Sequence, residues 1–268
     1  MIDFSSPDTV SRYNYAHHKL AGTGLMVNIA LLVYAVISSL PDFLDPSSLS
    51  DTGFGLRFSS ILETSGSESE DMWGVILYFA GIALTVMYIF YLVRLFMYRS
   101  FLRSCESEAE KGVSSLINSI WIAAISAGLL VFVVFTAIIL EGDISPLKIF
   151  LIPIMGLIIA FSVEMSGFAV LKKSTDLQEK SRKGFSLLFL SDIFLIAAQI
   201  LLLFVQADLP RTMINALAIL SLLSSFTSIC VSIAGWRIVR TPAPMPVLSP
   251  QLPSEPESSD QSSTSYSA

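Results

Sequence analysis

Two acidic residues interrupt long apolar stretches of this sequence: Glu164 in IFLIPIMGLIIAFSVEMSGFAVL and Asp192 in SLLFLSDIFLIAAQILLLFVQA. A charged side chain is costly inside hydrocarbon, so an acid in such a stretch usually faces the protein interior or a wet cavity. Two carboxylates held close together there could bind a cation or share a proton. Glu164 and Asp192 are therefore the first candidates for an intramembrane ion or proton site. Asn28, in an earlier apolar stretch, is the third.

Two other interpretations of the acids stay open on the sequence alone. Each acid could hydrogen-bond to a hydroxyl or amide group on another helix, which would stabilise the fold by about 1 kcal/mol per bond. Each could instead lie near the membrane surface, where a locally thinned bilayer tolerates a charge. The sequence does not show whether the two carboxyl groups face each other.

The remaining residues show no pattern typical of catalysis or metal binding. His17 and His18 are adjacent rather than spaced as metal ligands, and Cys105 and Cys230 form no CxxC pair. The sequence contains no HExxH, GxSxG or phosphate-loop motif. We therefore expect a protein that is not an enzyme and that uses neither a metal ion nor a cofactor.

Composition indicates a membrane protein. Of the 268 residues, 53% are hydrophobic and 14% are charged, with a mean hydropathy of +0.68; a soluble domain is about one quarter charged. The apolar runs are long enough to cross a hydrocarbon core of about 30 Å, and helices satisfy their own backbone groups there. We predict an all-α polytopic fold with six transmembrane helices, at about residues 20–40, 73–97, 116–140, 149–171, 186–207 and 213–239.

The basic residues predict how these spans are oriented. In the six-span topology, thirteen of the sixteen Lys and Arg residues fall on one side, and only Arg57, Lys148 and Arg211 fall on the other. Because Lys and Arg concentrate in cytoplasmic loops, both termini are predicted to be cytoplasmic. The same topology places Glu164 and Asp192 at one depth, about 10 Å from the cytoplasmic surface. We expect the host to be a plasma membrane or a bacterial inner membrane.

The chain divides into three segments. Residues 1–19 form a polar, cytoplasmic N-terminal segment, residues 20–240 form the membrane domain, and residues 241–268 form a tail rich in Pro and Ser. The tail has too few apolar residues to fold, so we predict that it is disordered and could bind a cytoplasmic protein. Besides the lipid bilayer, we expect no nucleic-acid partner, because no basic face lies outside the membrane-proximal loops. The oligomeric state stays open.

Two further patterns bear on helix packing. Trp73, Trp121 and Trp236 lie near predicted span ends, which is typical of the aromatic belt at the membrane–water interface. Ala123, Ala124, Ala127 and Gly128 in the third span have the small-residue spacing of a close helix–helix contact.

A short echo suggests internal repetition. The sequence KGVS at residues 111–114, before the third span, resembles KGFS at residues 183–186, before the fifth. Hairpins of two spans related by repetition would give such a pattern, as would chance similarity between apolar segments.

Two classes of function fit these patterns. The first is a non-enzymatic membrane protein that acts as a scaffold or recruits partners through its tail. The second is a small proton- or cation-coupled transporter or channel that uses Glu164 and Asp192. The first is favoured on the sequence, because no recognised transport motif occurs in the spans.

Overall fold

The fold is helical throughout the part of the chain that the structure describes. The structure, a computed structural model, describes residues 2, 6–44, 68–139, 146–205 and 210–242. Its helices are α1 (Pro7–Leu44), α2 (Glu68–Ser104), α3 (Ala109–Ile139), α4 (Pro146–Lys173), α5 (Glu179–Val205) and α6 (Arg211–Val239). All six are long and apolar enough to cross a membrane, which confirms the predicted six-span, all-helical fold. The predicted tail lies outside the described residues from position 243 onward.

Several helices begin before the predicted spans do. α1 begins at Pro7 and α5 at Glu179, whereas the spans were predicted to begin at 20 and 186. Hydropathy marks only the length of helix that hydrocarbon surrounds. Charged residues stabilise the helical turns that precede the apolar spans. Asp8 in the first turn of α1 forms an ion pair with Arg12 (3.1 Å), one turn later. Glu179 in the first turn of α5 does the same with Lys183 (2.8 Å). From Pro7 onward, the N-terminal segment is therefore part of α1.

The six helices pack in chain order. Each packs against the next, and α6 also packs against α1; the contact between α5 and α6 is the most extensive of these and that between α2 and α3 the smallest. Neighbours are antiparallel: Gly184 near the start of α5 lies against Val239 at the end of α6, and Ser221 of α6 donates a hydrogen bond to the carbonyl of Ala198, further along α5 (2.9 Å).

One end of the bundle carries the start of α1, the end of α6 and the α2–α3 and α4–α5 connections, and we call it the basic end. Side chains join its parts directly. Arg99 of α2 pairs with Glu110 of α3 at 2.6 Å. From the α4–α5 connection, the carboxylate of Asp176 accepts hydrogen bonds from the Ser107 hydroxyl (2.9 Å) and the Glu108 backbone N–H (3.0 Å), so it caps the start of α3.

The buried core is concentrated towards the basic end. The side chains with almost no exposed surface include Leu95, Leu116, Leu171 and Leu188. In the other half of the bundle, no described side chain of α1 after Val27 is buried. Most apolar side chains there are on the outer surface, which is the arrangement expected where lipid surrounds the helices.

Glycine pairs bring neighbouring helices close together at two equivalent places. Gly112 of α3 faces Gly167 of α4, and Gly184 of α5 faces Gly235 of α6; a Cβ on either Gly112 or Gly184 would lie within 2.9 Å of the facing glycine's carbonyl oxygen. A small residue at such a crossing lets the backbones approach.

The two crossings sit at related positions in the chain. Gly112 and Gly184 are 72 residues apart, and so are Leu116 and Leu188, which each pack on the facing glycine. The same offset relates Ser119 to Ser191, and each donates its hydroxyl to the leucine carbonyl three residues earlier, at 2.8 and 2.7 Å. The KGVS and KGFS echo therefore has a structural counterpart in the way that the α3–α4 and α5–α6 hairpins pack.

Of the predicted small-residue contact Ala123, Ala124, Ala127 and Gly128, the last three are wrong: they are exposed, and a Cβ on Gly128 would meet open space. Ala123 is partly exposed. The face of α3 that packs on α4 runs through Gly112, Leu116 and Ser126.

We predict that Gly184→Ala lowers the melting temperature of the purified protein in detergent. The new methyl group would overlap the Gly235 carbonyl oxygen at 2.8 Å, and such overpacking typically costs about 1–3 kcal/mol. Gly128→Ala is the matched control, since that site is open and the change removes a helical glycine, a gain of about 0.5–1 kcal/mol. Equal melting temperatures for the two variants would contradict the close crossing.

Candidate functional site

Asp192 of α5 is the more buried of the two candidate acids. Its side chain is 3% exposed, and its Oδ2 has no hydrogen-bond partner among the described residues. Glu164 of α4 is partly exposed, and α4 packs directly on α5. The two carboxylates interact electrostatically, so the structure brings the predicted pair into one neighbourhood.

Three other polar side chains lie near this pair. The phenols of Tyr88 and Tyr91 on α2 interact electrostatically with Glu164, and Tyr91 does so with Asp192 as well. Ser228 of α6 is buried, and its hydroxyl has no hydrogen-bond partner within the described ranges.

The register of α5 and α6 places Ser228 near the level of Asp192. Ser221 bonds to the Ala198 carbonyl and Ser224 to the Phe194 carbonyl (2.7 Å), so in an antiparallel pair the next turn brings Ser228 to the level of Asp192. Helices α2, α4, α5 and α6 thus each contribute polar atoms near the carboxylates.

Asn28, the third candidate, is engaged within its own helix. Its amide nitrogen donates to the Gly24 carbonyl at 2.9 Å, and none of its described contacts joins it to either carboxylate. Gly24 of α1 lies against Trp236 of α6. Asn28 is one turn after Gly24, and Ser232 is one turn before Trp236 in the antiparallel α6. Asn28 therefore lies near the level of Ser232, one turn further from the basic end. It shares the approximate depth of the acids but is not placed against them.

None of the ion pairs between described residues includes Glu164 or Asp192. Arg94, the basic residue nearest to them in predicted depth, donates to the Met97 sulfur (3.6 Å) along its own helix. A buried carboxylate without such a partner is costly unless its charge is neutralised. A bound proton or a bound cation would supply that neutralisation, and this is the chemistry that the arrangement supports.

Trp236 departs most from the sequence-based interpretation. It was expected in the interfacial belt, but its side chain is 2% exposed, and its indole packs edge-on against Tyr91 (5.8 Å between centroids), Phe168 (6.4 Å) and Phe185 (6.5 Å). We call these four residues the Trp236 cluster. They come from α2, α4, α5 and α6. Trp121, by contrast, is 53% exposed on α3, and the Trp73 side chain lies outside the described residues.

A buried histidine network lies closer to the basic end. His17 of α1 is hydrogen-bonded through Nδ1 to the Tyr98 hydroxyl of α2 (3.1 Å) and through Nε2 to the Ser181 hydroxyl of α5 (3.0 Å). The Tyr13 ring stacks on the imidazole at 4.8 Å. Both ring nitrogens are therefore satisfied, and three helices are joined by one side chain.

Sequence reasoning missed this network because His17 precedes the predicted span. A signal was present: Val10, Tyr13, His17, Leu20 and Gly24 recur at intervals of three and four, which continues one helical face of the span towards the N-terminus.

Comparison with known proteins adds no family assignment. No family model, no curated protein and no solved structure matches this chain. In the described part of the chain, no three His, Cys, Asp or Glu side chains are grouped so that they could hold a metal ion. The candidate site therefore has to be interpreted from its own residues.

We predict that Tyr98→Phe lowers the melting temperature, because it leaves Nδ1 of the buried His17 without the Tyr98 hydroxyl. An unsatisfied buried polar group costs about 1–3 kcal/mol. Tyr78→Phe on the same helix is the control, since Tyr78 is 67% exposed. Thermal unfolding of both variants in detergent tests this. A network that matters little to stability would give the same melting temperature for the two.

Proposed function

We propose that the protein is a non-enzymatic integral membrane protein that moves a proton or a small cation, as a transporter or a channel. Glu164 and Asp192 are the proposed binding residues. The observation that carries the proposal is the buried Asp192 carboxylate, whose Oδ2 lacks a described partner and which lies within electrostatic range of Glu164. The main competing explanation is a structural hydrogen bond at each acid, and none of the described hydrogen bonds includes Oδ2 of Asp192.

The unequal burial of the two acids suggests an order of events. Glu164 is partly exposed and Asp192 is buried. A proton or cation would meet Glu164 first and would then be shared with Asp192. Binding would relieve the repulsion between the carboxylates, which is strong where little water screens it.

Asn28 belongs to the proposed site only as a polar group at similar depth. Its amide nitrogen is already bonded to Gly24, which leaves its carbonyl oxygen as the atom that could contact a bound cation. Such a contact would need a rearrangement of α1 towards the acids.

The other function, a scaffold that recruits a cytoplasmic partner, depends on the composition of residues 241–268. Those residues are rich in Pro and Ser and contain Glu255, Glu257 and Asp260 without any Lys or Arg. A binding segment of this kind needs no ion site. The scaffold function therefore does not explain the buried Asp192 carboxylate, and for this reason it is the second candidate function.

We predict that Glu164→Gln and Asp192→Asn each reduce proton, Na⁺ or K⁺ flux in proteoliposomes to the level of protein-free liposomes. Each change removes a negative charge while nearly preserving side-chain volume. Glu179→Gln is the control, because that carboxylate is exposed at the start of α5 and pairs only with Lys183 among the described ion pairs. Unchanged flux in both variants, or no wild-type flux for any of the three ions, would contradict transport and favour the scaffold function.

A chemical readout avoids the need to know the transported ion. Dicyclohexylcarbodiimide reacts with carboxyl groups in apolar surroundings, and the modified residue can be identified by mass spectrometry. Because the carbodiimide takes up the carboxyl proton as it adds, Na⁺ or K⁺ bound at the pair should slow modification of Glu164 or Asp192, a proton held at the pair should favour it, and Glu179 should be unaffected. Modification at a rate that changes with neither cation nor pH would argue against a binding site.

The proposed orientation places the basic end in the cytoplasm of a plasma membrane or a bacterial inner membrane. Thirteen of the sixteen Lys and Arg residues lie on that side of the topology. The structure places the corresponding helix ends and connections at one end of the bundle, and the orientation in the membrane is the proposal.

We predict that Cys105 reacts with a membrane-impermeant thiol reagent only from the cytoplasmic side. Cys105 is partly exposed in the α2–α3 connection at the basic end. The measurement uses the Cys230→Ser protein in right-side-out and inside-out vesicles. Labelling of Cys105 in right-side-out vesicles would reverse the orientation.

A further inference from the structure

The Trp236 cluster lies where five helices meet. Its rings come from α2, α4, α5 and α6, and the indole also lies over Gly24 of α1, where a Cβ would be 2.6 Å from the nearest indole atom. A glycine at this position leaves the space that the indole fills. Phe185 also meets the His17 ring edge-on at 6.3 Å, so the cluster continues directly into the histidine network.

The cluster stands between the carboxylates and the basic end. On α4, Phe168 lies one turn beyond Glu164 towards Lys173, a rise of about 6 Å. On α5, Phe185 lies two turns before Asp192, about 10 Å nearer the basic end. Trp236 follows Ser228 on α6 by two turns in the same direction. Along α4, α5 and α6, the rings of the cluster therefore lie between the level of the pair and the basic end.

The opposite half of the bundle holds no equivalent layer among the described residues. The buried residues on that side of the pair are Ser126 in α3, Ile154 and Ala160 in α4, Ala198 in α5 and Ser221 in α6, and none of them is aromatic. Among the described residues, the layer of buried rings therefore lies only on the basic-end side of the acid pair.

We infer that the Trp236 cluster is a barrier that closes the carboxylate site towards the basic end, so that ions reach Glu164 and Asp192 from the opposite end while the indole stays in place. The inference rests on the proposed function for its ions, but the barrier itself is a property of the packing.

Tyr91 links the barrier to the site. Its ring packs edge-on against Trp236, and its phenol interacts electrostatically with both carboxylates. Tyr91 is therefore in ring contact with Trp236 and within electrostatic range of both acids.

The barrier can be tested with a cysteine at the level of the acids. Ser228→Cys is suitable because Ser228 is buried and its hydroxyl has no described partner to lose. The substitution is made in full-length protein that also carries Cys105→Ser and Cys230→Ser, and vesicles of both orientations are treated with a charged methanethiosulfonate. Labelling of Cys105 in a separate sample identifies the basic end.

With Trp236 in place, we expect modification from the opposite end only. Adding Trp236→Ala should raise the rate from the basic end at least tenfold. Reaction from the basic end with Trp236 present, absence of reaction from the opposite end, or no gain with Trp236→Ala would each overturn the barrier. None of these results depends on whether an ion binds, so a failure of the proposed function remains distinguishable through the flux measurement.

A second variant covers the case in which Trp236→Ala does not fold, as judged by size-exclusion chromatography. Gly24→Ala adds one methyl group that overlaps the indole, so it should displace Trp236 and raise the rate from the basic end. Gly22→Ala is the matched control two residues earlier, where a Cβ would meet nothing within 4 Å. Equal rates for the two glycine variants would overturn the barrier.

Discussion

The packing of one indole joins most of this membrane domain. Trp236 contacts rings from three other helices and the backbone of a fourth, all at the level where the buried core begins. Inside a bilayer, lipid is as apolar as the helices, so association depends on close packing rather than on escape from water. Edge-on aromatic pairs contribute about 0.5–1.5 kcal/mol each beyond the area they bury. Trp236 makes three such pairs, and they hold α2, α4, α5 and α6 together near the basic end.

The carboxylates set the opposite requirement. A charge at membrane depth needs water, a partner or neutralisation, and each of these opposes a fully packed interior. The chain meets this conflict by separating the two needs along the bundle axis. Aromatic rings and a satisfied histidine network fill the basic end, whereas Asp192 and Ser228 keep unpaired oxygens beyond the rings. Tyr91 lies between the two regions, with its ring packed on Trp236 and its phenol within electrostatic range of both carboxylates.

Sequence predicted those features that depend on many residues at once. Each span is defined by about 20 apolar residues, so errors at single positions average out, and the six helices follow. Glu164 and Asp192 could be selected one by one because a charge in lipid is exceptional. Trp236 could not, since a helix that is apolar all round gives no sign of which face packs inward. The Ala124, Ala127 and Gly128 stripe failed for the same reason: its spacing was right, but its face was not the one that meets α4. His17 was missed for a different reason, because it precedes the predicted span, although Val10, Tyr13, Leu20 and Gly24 continue one helical face through it.

The two glycine crossings imply that the domain is not uniformly stiff. In α3–α4 and α5–α6, backbones meet at Gly112 with Gly167 and at Gly184 with Gly235, so relative sliding would drive carbonyl oxygens and leucine side chains into each other. The α1–α2 hairpin has no such glycine pair in its described residues and is held by Trp236, His17 and the smaller contact between α2 and α3. The α1–α2 hairpin is thus joined to the other four helices by side chains and by the packing of α1 on α6, and not by a backbone crossing between two glycines among the described residues.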